Sequence, residues 1–191
     1  KKTQNMTFNN SLENHINVFK NLETHTSDLN VLIEKCTNTL KKGGKVLFCG
    51  NGGSSSDAQH LAAEFVGRFK NNRASLPSLS LSADSSVITC IANDFGYENI
   101  FSRQIESLAN KDDVIILITT SGNSENIINA AIKAKELGIF TAGFLGKDGG
   151  KVLKLIDLPL LVESSETARI QEAHIFIGHC LVESVEKSLG Y

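Results

Sequence analysis

The chain has 191 residues, a formal net charge of -2, and 41% hydrophobic against 21% charged residues. This length suits one domain whose core needs no disulfide or structural metal. The small negative charge offers no basic field for nucleic acid or an anionic membrane, and no window approaches the roughly 20 apolar residues of a membrane span. We therefore expect neither nucleic acid nor a membrane as a partner.

The four cysteines, Cys36, Cys49, Cys90 and Cys180, show no C-x-x-C spacing. Three of them lie within apolar runs, which favours buried free thiols. Free thiols are typical of a reducing cytoplasm. The polar residues 1–5 lead into no apolar signal segment, so we expect a cytoplasmic protein.

Taken in chain order, the hydrophobic pattern predicts helices and then an alternation of strands and helices. Apolar residues recur every three to four positions from Phe8 to Lys42, and the stripe they form must be covered by the chain itself or by a partner. An apolar run at 45–49 then predicts a buried strand. Further strands are predicted at 79–82, 114–118, 139–145 and 158–162, and helices at 54–69, 85–107 with a break near 93–96, 124–137 and 166–189.

This alternation indicates right-handed βαβ units and a parallel sheet that is covered on both faces. Both prolines, Pro77 and Pro159, lie at or near predicted strand starts, where proline is tolerated. No linker or low-complexity segment divides residues 1–191. The pattern therefore predicts a single α/β domain.

Two strand-to-helix turns have a composition that is typical of phosphate binding. Residues 50–57 read Gly-Asn-Gly-Gly-Ser-Ser-Ser-Asp, and residues 119–125 read Thr-Thr-Ser-Gly-Asn-Ser-Glu directly after the strongest strand. Glycines let the backbone approach a ligand, and hydroxyls beside helix-start amides bind phosphate without lysine. Most such clusters are only turn and cap residues. Two of them at carboxyl ends of parallel strands, however, favour a ligand site.

Two known nucleotide-binding motifs do not fit these turns. The dinucleotide fingerprint G-x-G-x-x-G would require a glycine where the chain has Ser55, and no G-K-[ST] sequence is present for a P-loop. We exclude both.

Candidate acid, base and metal groups lie on two predicted helices. His60 and Glu64 are four residues apart, so they share one helix face within reach of a common atom. A surface ion pair is the commoner meaning of this spacing, but the pair begins about one turn beyond the Gly/Ser turn. Gln171 and His179 are about 80° apart around the last helix and can converge if that helix leans over a cleft.

The remaining polar candidates are weaker. We interpret His174 as a structural residue or as one that supports a residue of the site, and His15 and His25 as solvated because they lie among polar residues. Asn93 and Asp94 stand where a helical pattern breaks, which fits either contacts to hydroxyl groups of a ligand or a helix-ending turn.

The segment 50–65, G-N-G-G-S-S-S-D-A-Q-H-L-A-A-E-F, resembles the signature of the bacterial phosphoheptose isomerases, which belong to the sugar isomerase (SIS) domain family. Residues 93–97, 119–124 and 171–179 resemble their later blocks in the same order. The likeness covers nearly the whole chain. The 119–124 block is shared across many SIS proteins, so it supports only the fold and phosphate binding.

The resemblance implies a three-layer, flavodoxin-like SIS fold with a mostly parallel five-stranded sheet, helices on both faces and additional N-terminal helices. Residues 1–191 would form a single SIS domain, in which 1–42 carry the helices for oligomerisation and 45–189 the α/β core. It further implies a homotetramer with active sites at subunit interfaces.

The activity implied is that of an aldose–ketose isomerase. It would convert sedoheptulose 7-phosphate to D-glycero-D-manno-heptose 7-phosphate through an enediol, for ADP- or GDP-heptose and lipopolysaccharide core or capsule synthesis. By matching positions, the resemblance implies that Glu64 would be the catalytic base and His179 the acid. One Zn²⁺ per subunit would have the ligands His60, Glu64, Gln171 and His179. The substrate contacts would be Asn51, Gly52, Gly53, Ser54, Ser55, Asn93, Asp94, Thr119, Thr120, Ser121, Ser124 and Gln171.

Two alternative functions remain open at this point. One is a non-catalytic SIS protein that associates with the replication initiator DnaA, against which the presence of both Glu64 and His179 argues. The other is an isomerase of another sugar phosphate, such as arabinose 5-phosphate, whose representatives often carry an extra C-terminal regulatory region.

Overall fold

The computed structural model describes residues 8–191 and shows a three-layer α/β fold; residues 1–7 of the expected N-terminal region 1–42 lie outside the described part of the chain. The sheet has the order β2-β1-β3-β4-β5, and every pair of neighbouring strands is parallel. This confirms the α/β class and the five-stranded parallel sheet. The strands are β1 (Val46–Gly50), β2 (Ser78–Ser80), β3 (Val114–Thr119), β4 (Phe140–Gly146) and β5 (Leu158–Val162).

The helices occupy both faces of the sheet, as the alternating pattern predicts. They are α1 (Phe8–Asn21), α2 (Thr26–Lys41), α3 (Gly53–Val66), α4 (Ser85–Phe95), α5 (Ser102–Leu108), α6 (Glu125–Glu136) and α7 (Thr167–Ser188), with 3₁₀ turns at Leu22–His25, Tyr97–Asn99 and Lys151–Lys154. No helix in the described range 8–191 is long and apolar enough to cross a membrane.

Two helix boundaries differ from the sequence prediction for identifiable reasons. The first helical region is interrupted at Leu22–His25, where the Thr24 and Thr26 hydroxyls bond to nearby carbonyls and compete with the helix ladder. Helix α3 ends at Val66 rather than at the predicted Phe69. The Phe69 amide is instead bonded to a side chain of α7, which draws the chain out of the helix.

Alternate side chains of the strands build two separate cores. Phe48 and Ile116 face a cluster formed with α2, α3 and α7, while Leu47, Ile115 and Leu117 face a cluster formed with α5 and α6. Because β1 and β3 are buried along their whole length, their carboxyl ends are held rigidly at the centre of the sheet. The strand order reverses between these two strands, and in such sheets ligands bind at that point.

Two predictions about individual residues need correction. His15 and His25 are half-buried and hydrogen-bonded rather than solvated. The reason is that α1 and the following 3₁₀ turn lie against α7 and β5. His15 Nδ1 is 2.8 Å from Glu172 Oε2, and His25 Nε2 is 2.8 Å from Leu161 O. The prediction of buried thiols holds for Cys36 and Cys49, whereas Cys180 is half-buried and Cys90 is exposed.

Candidate active site

The two Gly/Ser turns lie side by side, because they follow the adjacent strands β1 and β3. In the first turn, Gly52 has a positive φ of 56°, and the amides of Ser54 and Ser55 bond back to Asn51 O and Gly52 O. Gly53 is exposed, and Gln171 of α7 lies so close above it that a side chain at this position would overlap the Gln171 amide. The turn therefore keeps its backbone accessible and brings Gln171 beside it.

The second turn closes on itself and leaves hydroxyls at the start of α6. The Gly122 amide donates to Thr119 Oγ1 at 3.1 Å, and the Asn123 amide donates to Ser121 Oγ at 3.3 Å. Ser124 is the N-cap residue of α6, yet its side chain makes no cap hydrogen bond. The Ser124 hydroxyl and the first amides of α6 are thus placed for an anion. Thr119 is buried and serves the turn itself.

The loop after β4 supports the second turn by close backbone contact. Val152 N donates to Gly122 O at 3.1 Å, and Lys151 N donates to Asn123 Oδ1 at 3.2 Å. Gly122 has a φ of 64°, and a side chain there would overlap the carbonyl of Gly149. Only glycine fits this position, for both reasons.

A reciprocal amide pair joins the first turn to the start of α6, directly after the second turn. Asn51 Nδ2 donates to Asn126 Oδ1 at 2.8 Å, and Asn126 Nδ2 donates to Asn51 Oδ1 at 2.9 Å. Tyr97 adds a third bond, with its hydroxyl 3.1 Å from Asn51 Oδ1. The Asn51 side chain, predicted to contact substrate, is therefore occupied with bonds inside the protein.

Asn93 and Asp94 lie on the exposed end of α4, shortly before Tyr97. Asn93 Nδ2 donates to Asp94 Oδ1 at 2.7 Å. Because Tyr97 reaches Asn51, this end of α4 is near the first turn. Their position is compatible with contacts to sugar hydroxyls, which stay a prediction.

The predicted catalytic residues meet near the carboxyl end of α3, away from the first turn. His60 Nε2 is 3.0 Å from Glu64 Oε1 and 3.4 Å from His179 Nε2 of α7. All three residues offer a ligand atom within 4.8 Å of one another. The carboxylate and the imidazole that the sequence places 115 positions apart are thus brought together within one chain.

Close packing of α3 on α7 makes this meeting possible. At Gly178, next to His179, a Cβ would lie 2.5 Å from Leu61 Cδ1, so a larger residue would force the helices apart. The Phe69 ring stacks on the other side of the His179 imidazole, with centroids 5.3 Å apart. His179 is therefore enclosed by His60 and Phe69.

The electrostatics of the cluster keep His179 neutral near pH 7. Partial burial lowers the pKa of His179, His60 lowers it further, and Glu64 opposes these effects without cancelling them. A neutral imidazole can donate a proton through one nitrogen and accept one through the other. The same form is the one that binds a metal ion.

The three residues fit a divalent metal ion such as zinc. Two imidazoles and one carboxylate are a ligand set of catalytic zinc sites. The Nε2 atoms of His60 and His179 face each other, so their contact needs either a shared proton or a cation between them. Gln171, the predicted fourth ligand, lies two turns from His179, roughly 12 Å along the axis. It contacts Gly53 in this chain, and its role as a ligand stays a prediction.

Several residues that hold the site in place are not evident from the sequence. Asn126, Phe69, Arg73 and Glu186 were not singled out, although Glu186 gives a signal: it is a carboxylate within the apolar face of the last helix, and a buried charge requires a partner. The partner itself could not be found, because its position is set by the fold.

Comparisons with known proteins identify the family and the fold of this chain. The sequence model of the SIS domain family matches residues 10–146. A phosphoheptose isomerase of Clostridium acetobutylicum is 54% identical over 158 residues, covering 83% of this chain and 81% of the relative. One from Helicobacter pylori is 49% identical over 172 residues and 90% of each chain. The solved phosphoheptose isomerase of Francisella tularensis has a TM-score of 0.90 at 34% identity, covering 94% of this chain and 96% of that one.

Proposed function

Since the chain belongs to the phosphoheptose isomerases of the SIS domain family, we propose that Glu64 and His179 carry out its reaction. The enzyme is an aldose–ketose isomerase that converts sedoheptulose 7-phosphate to D-glycero-D-manno-heptose 7-phosphate. The observation that supports the assignment is the convergence of His60, Glu64 and His179 within 4.8 Å. The interconversion needs a base that moves a proton between C1 and C2, and a second group that manages the two oxygens.

The residues can be assigned to these two tasks. Glu64 takes a proton from C1 of the ketose, which leaves an enediol, and returns the proton at C2. His179, neutral near pH 7, donates a proton to the C2 oxygen and accepts the one from the C1 oxygen. Each such acid–base contribution is typically about 10²- to 10⁴-fold in rate. Phe69 shields the imidazole on one side, which limits competing water.

We further propose that His60, Glu64 and His179 hold one zinc ion per chain. When bound, zinc would polarise the carbonyl and stabilise negative charge on the oxygens. Metal analysis of the purified protein tests this: one equivalent of zinc is expected in the wild type, and much less in His60→Ala. Equal zinc content in both would contradict the assignment.

The distance along α3 supports an active site shared between two chains. The phosphate turn is at Gly53 and the base at Glu64, eleven residues or about 16 Å along the helix. An extended covalent chain advances roughly 1.2 Å per bond, so the eight bonds from C1 to phosphorus span about 10 Å. The covalent span of one sugar phosphate is therefore shorter than the axial distance between these two parts of α3. We infer that the phosphate turns of one subunit serve the Glu64 of another.

The surface of α1 supports such an assembly. No residue of α1 is buried, and Phe8, Leu12 and Ile16, each four residues apart, are 80%, 46% and 43% exposed. These three residues form an apolar strip that a second copy of the chain would cover, and Phe176 of α7, which packs against Phe19 of α1, is exposed as well. This fits the expected homotetramer, in which 1–42 provide the helices for association and 45–189 the core of a single SIS domain.

We also propose a cytoplasmic location for the enzyme and a role for its product in the supply of activated heptose. A heptose 7-phosphate is a precursor of nucleotide-activated heptose, so the product would serve lipopolysaccharide core or capsule synthesis. The described cysteines form no disulfide, which is compatible with a reducing cytoplasm.

The experiment that tests the catalytic assignment is the conversion of sedoheptulose 7-phosphate by Glu64→Gln. We expect the variant to fold and to bind the sugar phosphate, while turnover falls at least 100-fold, because the amide cannot accept the C1 proton. Glu136→Gln, at an exposed ion pair on α6, is the control and should leave turnover unchanged. Near-normal turnover of Glu64→Gln would remove the base from this proposal.

A further inference from the structure

A fully buried ion pair fixes the segment between α3 and β2. Arg73 Nε donates to Glu186 Oε1 at 2.6 Å, and the two side chains are 0% and 1% exposed. Glu186 also accepts hydrogen bonds from the amides of Phe69, at 2.9 Å, and Lys70, at 3.2 Å. Burial by itself raises the pKa of Glu186, but these amides and the guanidinium outweigh it and hold the pKa below its ordinary value. The carboxylate is therefore ionised and fully bonded.

The other nitrogens of Arg73 hold the end of α3. Nη2 donates to Glu64 O at 2.8 Å, and Nη1 donates to Phe65 O at 2.8 Å. Both carbonyls belong to the last turn of the helix, where no further helical amide is available to them. The guanidinium thus connects the backbone of the catalytic base to α7.

The same pair determines where the Phe69 ring lies. The Phe69 amide is bonded to Glu186, and the Phe69 ring stacks on His179 with an interplanar angle of 28°. Glu186 and His179 are seven residues apart on α7, which is about two turns, so they project from nearly the same face of that helix. One buried contact therefore acts on both partners of the acid–base pair.

We propose that Arg73 and Glu186 are positioning residues for the isomerase reaction, which hold the Glu64 backbone and the Phe69 ring so that the Glu64 carboxylate and the His179 imidazole face each other. The inference rests on the proposed roles of Glu64 and His179. A buried ion pair by itself adds little to stability compared with an apolar pair of similar volume. By contrast, a displacement of a catalytic group by about 1 Å can cost about 100-fold in rate.

The chain offers a matched control for this proposal. Asp113, 1% exposed, likewise pairs with a cation, Lys45, and accepts hydrogen bonds from two backbone amides, those of Lys45 and Asn110. It lies at the amino end of β3, on the opposite edge of the sheet from the turns. Glu186→Gln and Asp113→Asn should both lower the melting temperature. Only Glu186→Gln should lower kcat, by tenfold or more, with KM for sedoheptulose 7-phosphate changed less than threefold.

A spectroscopic measurement separates positioning from activity. In the wild type, the stacked Phe69 ring should shift the Hε1 resonance of His179, which is assigned by its loss in His179→Gln. This resonance should move in Glu186→Gln and in Phe69→Leu, and should stay in place in Asp113→Asn. Phe69→Leu leaves the ion pair intact, so it remains informative if Glu186→Gln fails to fold; its kcat should also fall.

The outcomes are distinct. Equal kcat values for Glu186→Gln and Asp113→Asn at a temperature where both are folded would overturn the positioning role, as would an unmoved His179 resonance. Activity of Glu64→Gln would overturn the catalytic assignment instead, while the resonance would still report on the contact between Phe69 and His179.

Discussion

His174 shows how one buried side chain makes the stability of this protein depend on pH. It is 0% exposed, its Nε2 lies 2.9 Å from Leu145 O, and its Nδ1 has no partner among the described residues. Burial lowers the pKa of His174 to about 4, although the bond to Leu145 opposes this shift. The imidazole is therefore neutral in the folded protein.

We predict that this residue destabilises the protein as the medium is acidified. Below about pH 6.5 the unfolded chain binds a proton that the folded chain accepts only near pH 4. The contribution of the neutral His174 to the free energy of unfolding is thus fully present above pH 6.5. It is lost as the pH falls towards 4, by about 1.4 kcal/mol per pH unit. Urea unfolding at pH 7 and pH 5 should show a loss of about 2 kcal/mol in the wild type beyond that in His174→Leu. Equal losses of unfolding free energy in the wild type and in His174→Leu, measured at one fixed protein concentration, would contradict the prediction.

At the scale of elements, the turn after β3 depends on close contact with the loop after β4. Gly122 is the contact point, since its φ is positive and a side chain would overlap the Gly149 carbonyl. The two loops come from adjacent strands, so a displacement of one opens the proposed phosphate site.

Gly122→Ala should therefore raise KM for the sugar phosphate at least tenfold, because the amides and hydroxyls of this turn would no longer converge. Gly138→Ala is a matched control: Gly138 also has a positive φ, of 67°, but nothing lies within 4 Å of its Cβ position. Both variants bear a backbone strain of roughly 1–2 kcal/mol. Steady-state kinetics should separate them, and an equal KM in both would show that the contact with Gly149 does not shape the site.

At the scale of the whole molecule, the separation of the phosphate turns from Glu64 has a consequence for mixed oligomers. If each site takes its turns from one chain and its base from another, two inactive variants can complement each other. We predict that Glu64→Gln and Ser121→Ala/Ser124→Ala, each nearly inactive, regain activity when they are unfolded together and refolded.

Random mixing in a symmetric oligomer should restore roughly a quarter of the wild-type activity, because a quarter of the sites combine two intact halves. Each variant refolded by itself provides the control. Sites built from one chain would show no recovery, and this outcome would refute the shared active site.

Local patterns in the chain were sufficient to predict the order of strands and helices, and they also predict a phosphate site at the two turns. The alternation of apolar runs with amphipathic segments predicts a parallel sheet, because strands covered on both faces must be apolar throughout. The composition of 50–57 and 119–125 likewise predicts a phosphate site, since hydroxyls and helix-start amides are local features. The spacing of His60 and Glu64 places them on one helix face for the same reason.

The contacts that complete the site depend on the folded molecule. His60 and His179 are 119 residues apart, and their meeting depends on the close approach of two helices at Gly178. The partner of Glu186 is equally remote in the chain, at Arg73. The Asn51 amide, in the turn after β1, is bonded to Asn126 at the start of α6. Such pairs leave no periodic trace in the chain, because the packing of the helices on the sheet, and not the local backbone, determines which side chains touch.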